Sequence, residues 1–321
     1  MNIKEVFALA VKCGVAADPR GVAGVKKHLI HVNKGYEKMS KEDKEFFDKE
    51  HLSNPYPDSL IHLAEEKREV KRVLAGIDIG AGEVLLASQL NERGKEVDLI
   101  IAHHPMGRSM AALHTAMEMQ VEIFTQVGVP VHLAEKFLED RMREVGHSIH
   151  PVNNFQIIDL AKALGVNLMN VHTVTDNLVE KFLLNMIKRT KPETLGDLVD
   201  ELLKIEEYRE ARRRVAGPKI VSGQSKNRIG KMICEMTGGA NPSNFMYQEL
   251  VRAGISTVLS MHMKDEAVRK ADDSRLNIVI AGHISSDSLG MNLFLDELEK
   301  RGIEIIPCGG LIRVSRVKKQ K

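Results

Sequence analysis

Two short runs without a polar residue, Leu99-Ile100-Ile101-Ala102 and Ile278-Val279-Ile280-Ala281, constrain this chain most. Strands that face water on one side alternate polar with apolar residues. Unbroken apolar runs of this length belong to strands covered on both faces, as in the interior of a parallel sheet. Further strand candidates lie at 73–79, 129–132, 168–171, 219–221, 256–259, 303–307 and 311–314. Helix-spaced stretches separate them, at 83–94, 110–127, 133–145, 155–164, 176–187, 194–203, 229–236 and about 287–300. Thr194 and Ser286 are placed to cap two of these, and Gly165 and Gly302 to end two. Such alternation predicts an α/β fold of two lobes with mostly parallel sheets.

Residues 1–71 read differently. Val6, Phe7, Leu9 and Ala10, then Val22, Val25, Leu29 and Ile30, repeat at helical spacing. The Asn54-Pro55-Tyr56-Pro57-Asp58 segment breaks the run, because neither proline supplies an amide, and a short helix at 59–71 is expected after it. The predicted organisation is a helical N-terminal segment (1–71), a first lobe (72–215) and a second lobe (216–321) that completes a site between them.

Ligands in parallel α/β folds gather beyond the carboxyl ends of the strands, and there this chain places its histidines. His103-His104-Pro105 ends one apolar run, His172 follows the strand at 168–171, and His283 follows the run at 278–281. Two of these have a carboxylate four residues on: His172 with Asp176, and His283 with Asp287. Imidazole with carboxylate suits zinc, iron, manganese, cobalt or nickel, and argues against calcium. Neighbouring histidines at a strand end project in different directions, an arrangement natural for two adjacent ions. Two divalent transition-metal ions are therefore expected, with ligands drawn from His103, His104, His172, Asp176, His283 and Asp287. Against this stands the plain reading that, among 13 histidines, one at a strand exit is usually just a polar residue. The repeated spacing outweighs it.

The run Asp98-Leu99-Ile100-Ile101-Ala102-His103-His104-Pro105 resembles the first signature of the Nif-three-like dinuclear metal-centre family. Gly282-His283-Ile284-Ser285-Ser286-Asp287-Ser288-Leu289-Gly290 resembles its second, and His172-Thr173-Val174-Thr175-Asp176 its His-Thr-x-x-Asp segment. The resemblance runs from about Val73 onward. It implies His103, His104, Asp176, His283 and Asp287 as the ligands, a ring-shaped homohexamer, and a GTP cyclohydrolase-like label carried by some members. Two departures matter. Asp287 stands where the family has glutamate, and the N-terminal segment lacks the family's Trp-Asp-Asn opening. The stretch between His104 and Asp176 is also longer than the family's, which leaves Glu135 as a rival to Asp176. Asp176 is preferred for its matching motif, and His172 is expected as a general base or a group orienting the metals.

Other features carry less. His132, His147 and His150 read as surface or core residues, and His262 as one that can line the same crevice. The loop 222–230 offers amides to a phosphate if a helix follows it, but it lacks the Walker A pattern. Gly76–Gly82 likewise fails the dinucleotide fingerprint. Arg108 is a candidate contact for an anionic substrate.

The net charge of +2 and the 4% aromatic content disfavour nucleic acid as a partner. The basic stretch 313–321 reads as a solvated tail. Three scattered cysteines with no CxxC pair, no signal-like leader and no apolar run near the roughly 20 residues of a membrane span point to a cytoplasmic protein. The leading expectation is a metal-dependent hydrolase of a small, nucleotide-like substrate. The alternative is a non-catalytic metal-binding scaffold or regulatory interaction protein.

Overall fold

The computed structural model describes residues 1–318. Its strands are β1 (Ile61–Leu63), β2 (Arg72–Gly76), β3 (Leu99–Ala102), β4 (Leu168–Asn170), β5 (Lys219–Ser222), β6 (Met232–Glu235), β7 (Thr257–Ser260), β8 (Asn277–Ile280) and β9 (Glu304–Cys308). They form two sheets, ordered β1-β4-β3-β2-β9 and β5-β8-β7-β6. Within each sheet only the strand at one edge, β1 or β5, runs antiparallel to its neighbour. The expected two-lobed α/β architecture is thus present.

Strand alternation divides the apolar residues between two faces. On the first sheet, Val73, Ala75, Leu99 and Ile101 face one core, while Leu74, Ile100 and Ala102 face another. On the second, Ile233, Val258 and Ile278 face one side, and Cys234, Leu259 and Val279 the other. Both faces of both sheets are covered, which is why β3 and β8 contain no polar interior residue.

Two helices stand between the sheets, His172–Thr190 and His283–Glu299. Each contributes to both inner cores: Val174 and Phe294 pack with the first sheet, and Val179, Leu183 and Leu289 with the second. They also approach each other closely. A Cβ on Gly290 would lie 2.3 Å from the Thr175 carbonyl oxygen, so only glycine permits this contact. Gly282, at φ +113°, makes the turn from β8 into the second helix.

Several local expectations differ from the structure. β1 replaces the helix expected at 59–71, and β6 the one at 229–236. The loop 222–230 therefore joins two strands, with no helix N-terminus to offer a phosphate. Residues 129–132 open the helix Val131–Ile149, with Pro130 as its N-cap. Both central helices begin earlier than expected, at the histidines themselves, and Gly282 rather than Ser286 precedes the second. Residues 311–314 form no strand. β9 pairs with β2 in the first sheet, so the chain returns from the second lobe to the first, across the boundary expected from sequence.

The basic stretch is anchored at two of its arginines. Arg313 pairs with Asp296 at 2.8 Å and Arg316 with Glu207 at 2.7 Å, and residues 319–321 lie outside the described residues. No helix among the described residues is long and apolar enough to cross a membrane.

Gly290→Ala is expected to cost about 1–3 kcal/mol through overpacking, lowering Tm by a few °C. Gly82→Ala, on a helix with open space around it, is the control and should leave Tm nearly unchanged. Equal melting of the two variants in a thermal denaturation would show that the helix contact is not tight.

Candidate metal centre

Four histidines meet where the two central helices begin. β3 delivers His103 and His104, whose amides extend the sheet ladder by donating to the Gly76 and Ile77 carbonyls at 2.9 and 3.0 Å. His172 and His283 are the first residues of their helices. A helix turn rises 5.4 Å in 3.6 residues, so the carboxylate four positions later shares its histidine's face. This is the structural content of the repeated His-x-x-x-Asp spacing.

The hydrogen bonds of three imidazoles settle which ring nitrogen faces the cluster. The Thr175 hydroxyl donates to the Val171 carbonyl at 2.6 Å, so it accepts from His103 Nδ1 at 2.9 Å. His104 Nδ1 donates to Asp78 at 2.7 Å, and His172 Nδ1 to Asp58 at 2.8 Å. In each ring Nε2 is the nitrogen turned toward a carboxylate. His103 Nε2 lies 3.6 Å from Asp176 and 3.5 Å from Asp287. His104 Nε2 lies 3.4 Å from Asp287, His283 Nε2 3.5 Å from Asp287, and His172 Nε2 3.9 Å from Asp176.

These separations exceed a hydrogen bond. They suit two donors sharing one ion at roughly 2.1 Å each, whose tetrahedral edge is about 3.4 Å. His103 Nε2, Asp176 Oδ1 and both Asp287 carboxylate oxygens are buried without a hydrogen-bond partner. Buried carboxylates in native proteins are paired or hold metals. Two sets of ligand atoms converge within 4.8 Å, His103 with His172 and Asp176, and His103 with His104 and Asp287. The donor set fits divalent metal ions.

Electrostatics show the same unmet demand for positive charge. Burial raises Asp176 well above the carboxylate range, reinforced by Asp287 and Asp58. Burial would raise Asp287 too, but His103, His104 and His283 together hold it below that range. Burial lowers His103 to about 4. For His104 burial acts in the same direction, but Asp287 and Asp78 overcome it and lift the ring to about 9.

The structure brings His103, His104, His172, Asp176, His283 and Asp287 together and leaves other candidates outside. Glu135 is exposed on the helix Val131–Ile149, and His132, His147 and His150 are exposed as well. Arg108 faces Asp48 at 3.3 Å. His262 does reach the cluster, its ring 4.4 Å from that of His283, and burial lowers it to about 4.

Sequence reasoning missed two groups. Asp78 lies on the glycine-bracketed exit of β2. Asp58, fully buried, comes from the double-proline segment taken for a breaker; it binds His172 and also accepts from the Thr173 hydroxyl at 2.6 Å. Burial would raise its carboxyl, but the His172 hydrogen bond holds it below the usual range. A rigid proline-bracketed loop was the available signal.

A cavity of about 550 Å³ opens beside the cluster, with His104, His172, Asp176, His262 and His283 in its wall. Gln120, Glu235 and Phe124 also line it. Among the described residues, none that lines it is lysine or arginine.

No protein-family model matches the chain, and no curated protein does. Solved structures do. A NIF3 superfamily protein from Sphaerobacter thermophilus is 26% identical, with 79% of this chain and 92% of that one covered and a TM-score of 0.69. Reduced HcgD from Methanocaldococcus jannaschii is 15% identical, covering 83% and 94%, with a TM-score of 0.49. A Bacillus cereus protein related to NIF3 is 13% identical, covering 85% and 94%, with a TM-score of 0.43.

Asp58→Asn is expected to weaken metal affinity about 10–100-fold, the usual effect of losing a group that orients a ligating histidine. A competition titration against a chelator measures it, with circular dichroism as the check on folding. Unchanged affinity in a folded variant would remove His172 from the ligand set.

Proposed function

We propose, on the premise that this chain resembles the NIF3 superfamily in fold and in its signature segments, that it is a dinuclear metal-dependent hydrolase of a small molecule. The observation that supports it most is the convergence of imidazole Nε2 atoms on Asp176 and Asp287, whose buried oxygens Asp176 Oδ1 and Asp287 Oδ1 and Oδ2 have no hydrogen-bond partner, at the edge of a cavity. His103, His104, Asp176, His283 and Asp287 would hold two divalent ions. With only nitrogen and oxygen donors converging, zinc, iron, manganese, cobalt and nickel are the metals to test. Such ions, when bound, lower the pKa of a coordinated water and polarise an acyl, phosphoryl or amidine-type centre.

The protein's own residues divide the remaining work. Asp58, Thr175 and Asp78 orient His172, His103 and His104, and so keep the donor atoms in place before any ligand arrives. His172, expected from sequence as a general base or a group orienting the metals, would serve as a sixth ligand, because Nδ1 is committed to Asp58 and Nε2 faces Asp176. His262 lines the cavity without a salt bridge to a carboxylate among the described residues, and in this reading it would accept a proton from the attacking water.

A nucleotide-like substrate stays within this proposal on one condition. With no lysine or arginine among the described residues of the cavity wall, an anionic group would be met by the metals. The proposed assembly is a homohexamer, testable by light scattering as a particle six times the 35.8 kDa chain. The three cysteines, none in a disulfide, accord with the cytoplasm as the proposed location.

Elemental analysis of the purified protein beside His104→Ala and Asp287→Ala tests the reading. About two transition-metal ions per chain are expected in the wild type, with loss in both variants and hydrolysis of an ester or nucleotide panel falling alongside. No metal after reconstitution would overturn the dinuclear centre. Two ions with no turnover across the panel would favour the scaffold reading instead.

A further inference from the structure

Besides the histidines, the cavity wall includes apolar residues, with Met106, Met110, Phe124 and Met261 contributing. Gln120 and Glu235 are set into it. The Gln120 amide nitrogen donates to the Gly238 and Ala240 carbonyls at 2.7 and 2.6 Å, which leaves its Oε1 buried and without a donor. Both carboxyl oxygens of Glu235 are in the same condition. The wall therefore presents three buried acceptor atoms with nothing to accept from, a state native proteins avoid unless a ligand or water supplies the donors.

Charge sharpens the requirement. Burial, reinforced by Glu180, pushes the Glu235 carboxyl up to about 8, as expected of an acid denied a counter-charge. A metal ion is a poor candidate for that counter-charge. Glu235 belongs to no group of three converging metal-ligating side chains among the described residues.

We propose that Glu235 determines specificity at a second subsite of this cavity, one that takes an amidinium or guanidinium group carried by the ligand. A planar cation with paired N–H donors satisfies two carboxylate oxygens at once. Its flat, weakly hydrated faces suit a wall of methionine and phenylalanine, whereas a compact, strongly hydrated ammonium does not. The ligand is then bipolar, with its electrophilic centre toward the histidines and its donor-rich cation toward Glu235. This inference rests on the cavity being the substrate site, but the Glu235 contact does not require metal, so the two readings fail separately.

Calorimetric titration of the full-length protein, as purified and after chelation, tests it with benzamidine and its neutral near-isostere benzamide. Benzamidine is expected to bind at least about tenfold tighter than benzamide in both preparations. Glu235→Gln, and the similarly shaped apolar Glu235→Met, should abolish that preference while leaving metal content unchanged. Equal binding of the two probes by the wild type, or a preference that survives in either folded variant, overturns the proposal. A preference retained in a protein that never binds metal would sustain this subsite while removing the dinuclear centre.

Discussion

The site depends on the contact between two central helices, where Gly290 presses against the Thr175 carbonyl. Both helices are buried between the sheets, and each begins with a histidine and carries an aspartate one turn later. Their close approach brings Asp176 and Asp287 toward the same His103 ring, 3.6 and 3.5 Å away. A side chain at position 290 would separate those carboxylates, and no rearrangement confined to the loops would restore them. The packing of the core and the geometry of the site are therefore one constraint.

Around that contact the protein fixes ring orientations before any ion arrives. A threonine hydroxyl already committed to a backbone carbonyl, and two carboxylates outside the cluster, bind Nδ1 of His103, His104 and His172. The Nε2 atoms and unpartnered carboxylate oxygens then face one another across gaps too long for hydrogen bonds. An arrangement that concentrates electron pairs in a buried space is costly by itself and is relieved by cations. Its neighbours on the cavity wall, Gln120 and Glu235, extend the same excess of acceptors away from the cluster.

Much of this was legible in the sequence, for identifiable reasons. β3 and β8 could be read because burial on both faces leaves only apolar residues. The His-x-x-x-Asp pairs could be read because helical periodicity ties spacing to a shared face. β1 was lost because three half-buried residues carry no period, and β6 because Ile233 and Cys234 serve opposite cores while Glu235 interrupts the apolar run. Residues 129–132 read as a short apolar strand with Pro130 inside it, although proline suits a helix start. The pairing of β9 with β2, the arrival of Asp58 beside His172, and the meeting of Gln120 with Glu235 on one cavity wall are long-range events, and no local pattern encodes them.

X-ray absorption spectroscopy at the metal edge of the reconstituted protein tests the central claim most directly, because it reports on the ligands themselves. The account predicts a first shell of nitrogen and oxygen at roughly 2.0–2.2 Å, outer-shell scattering from more than one imidazole, and no sulfur. A sulfur shell, or oxygen-only coordination without imidazole scattering, would contradict it, because the ion would then lie away from the His–Asp cluster.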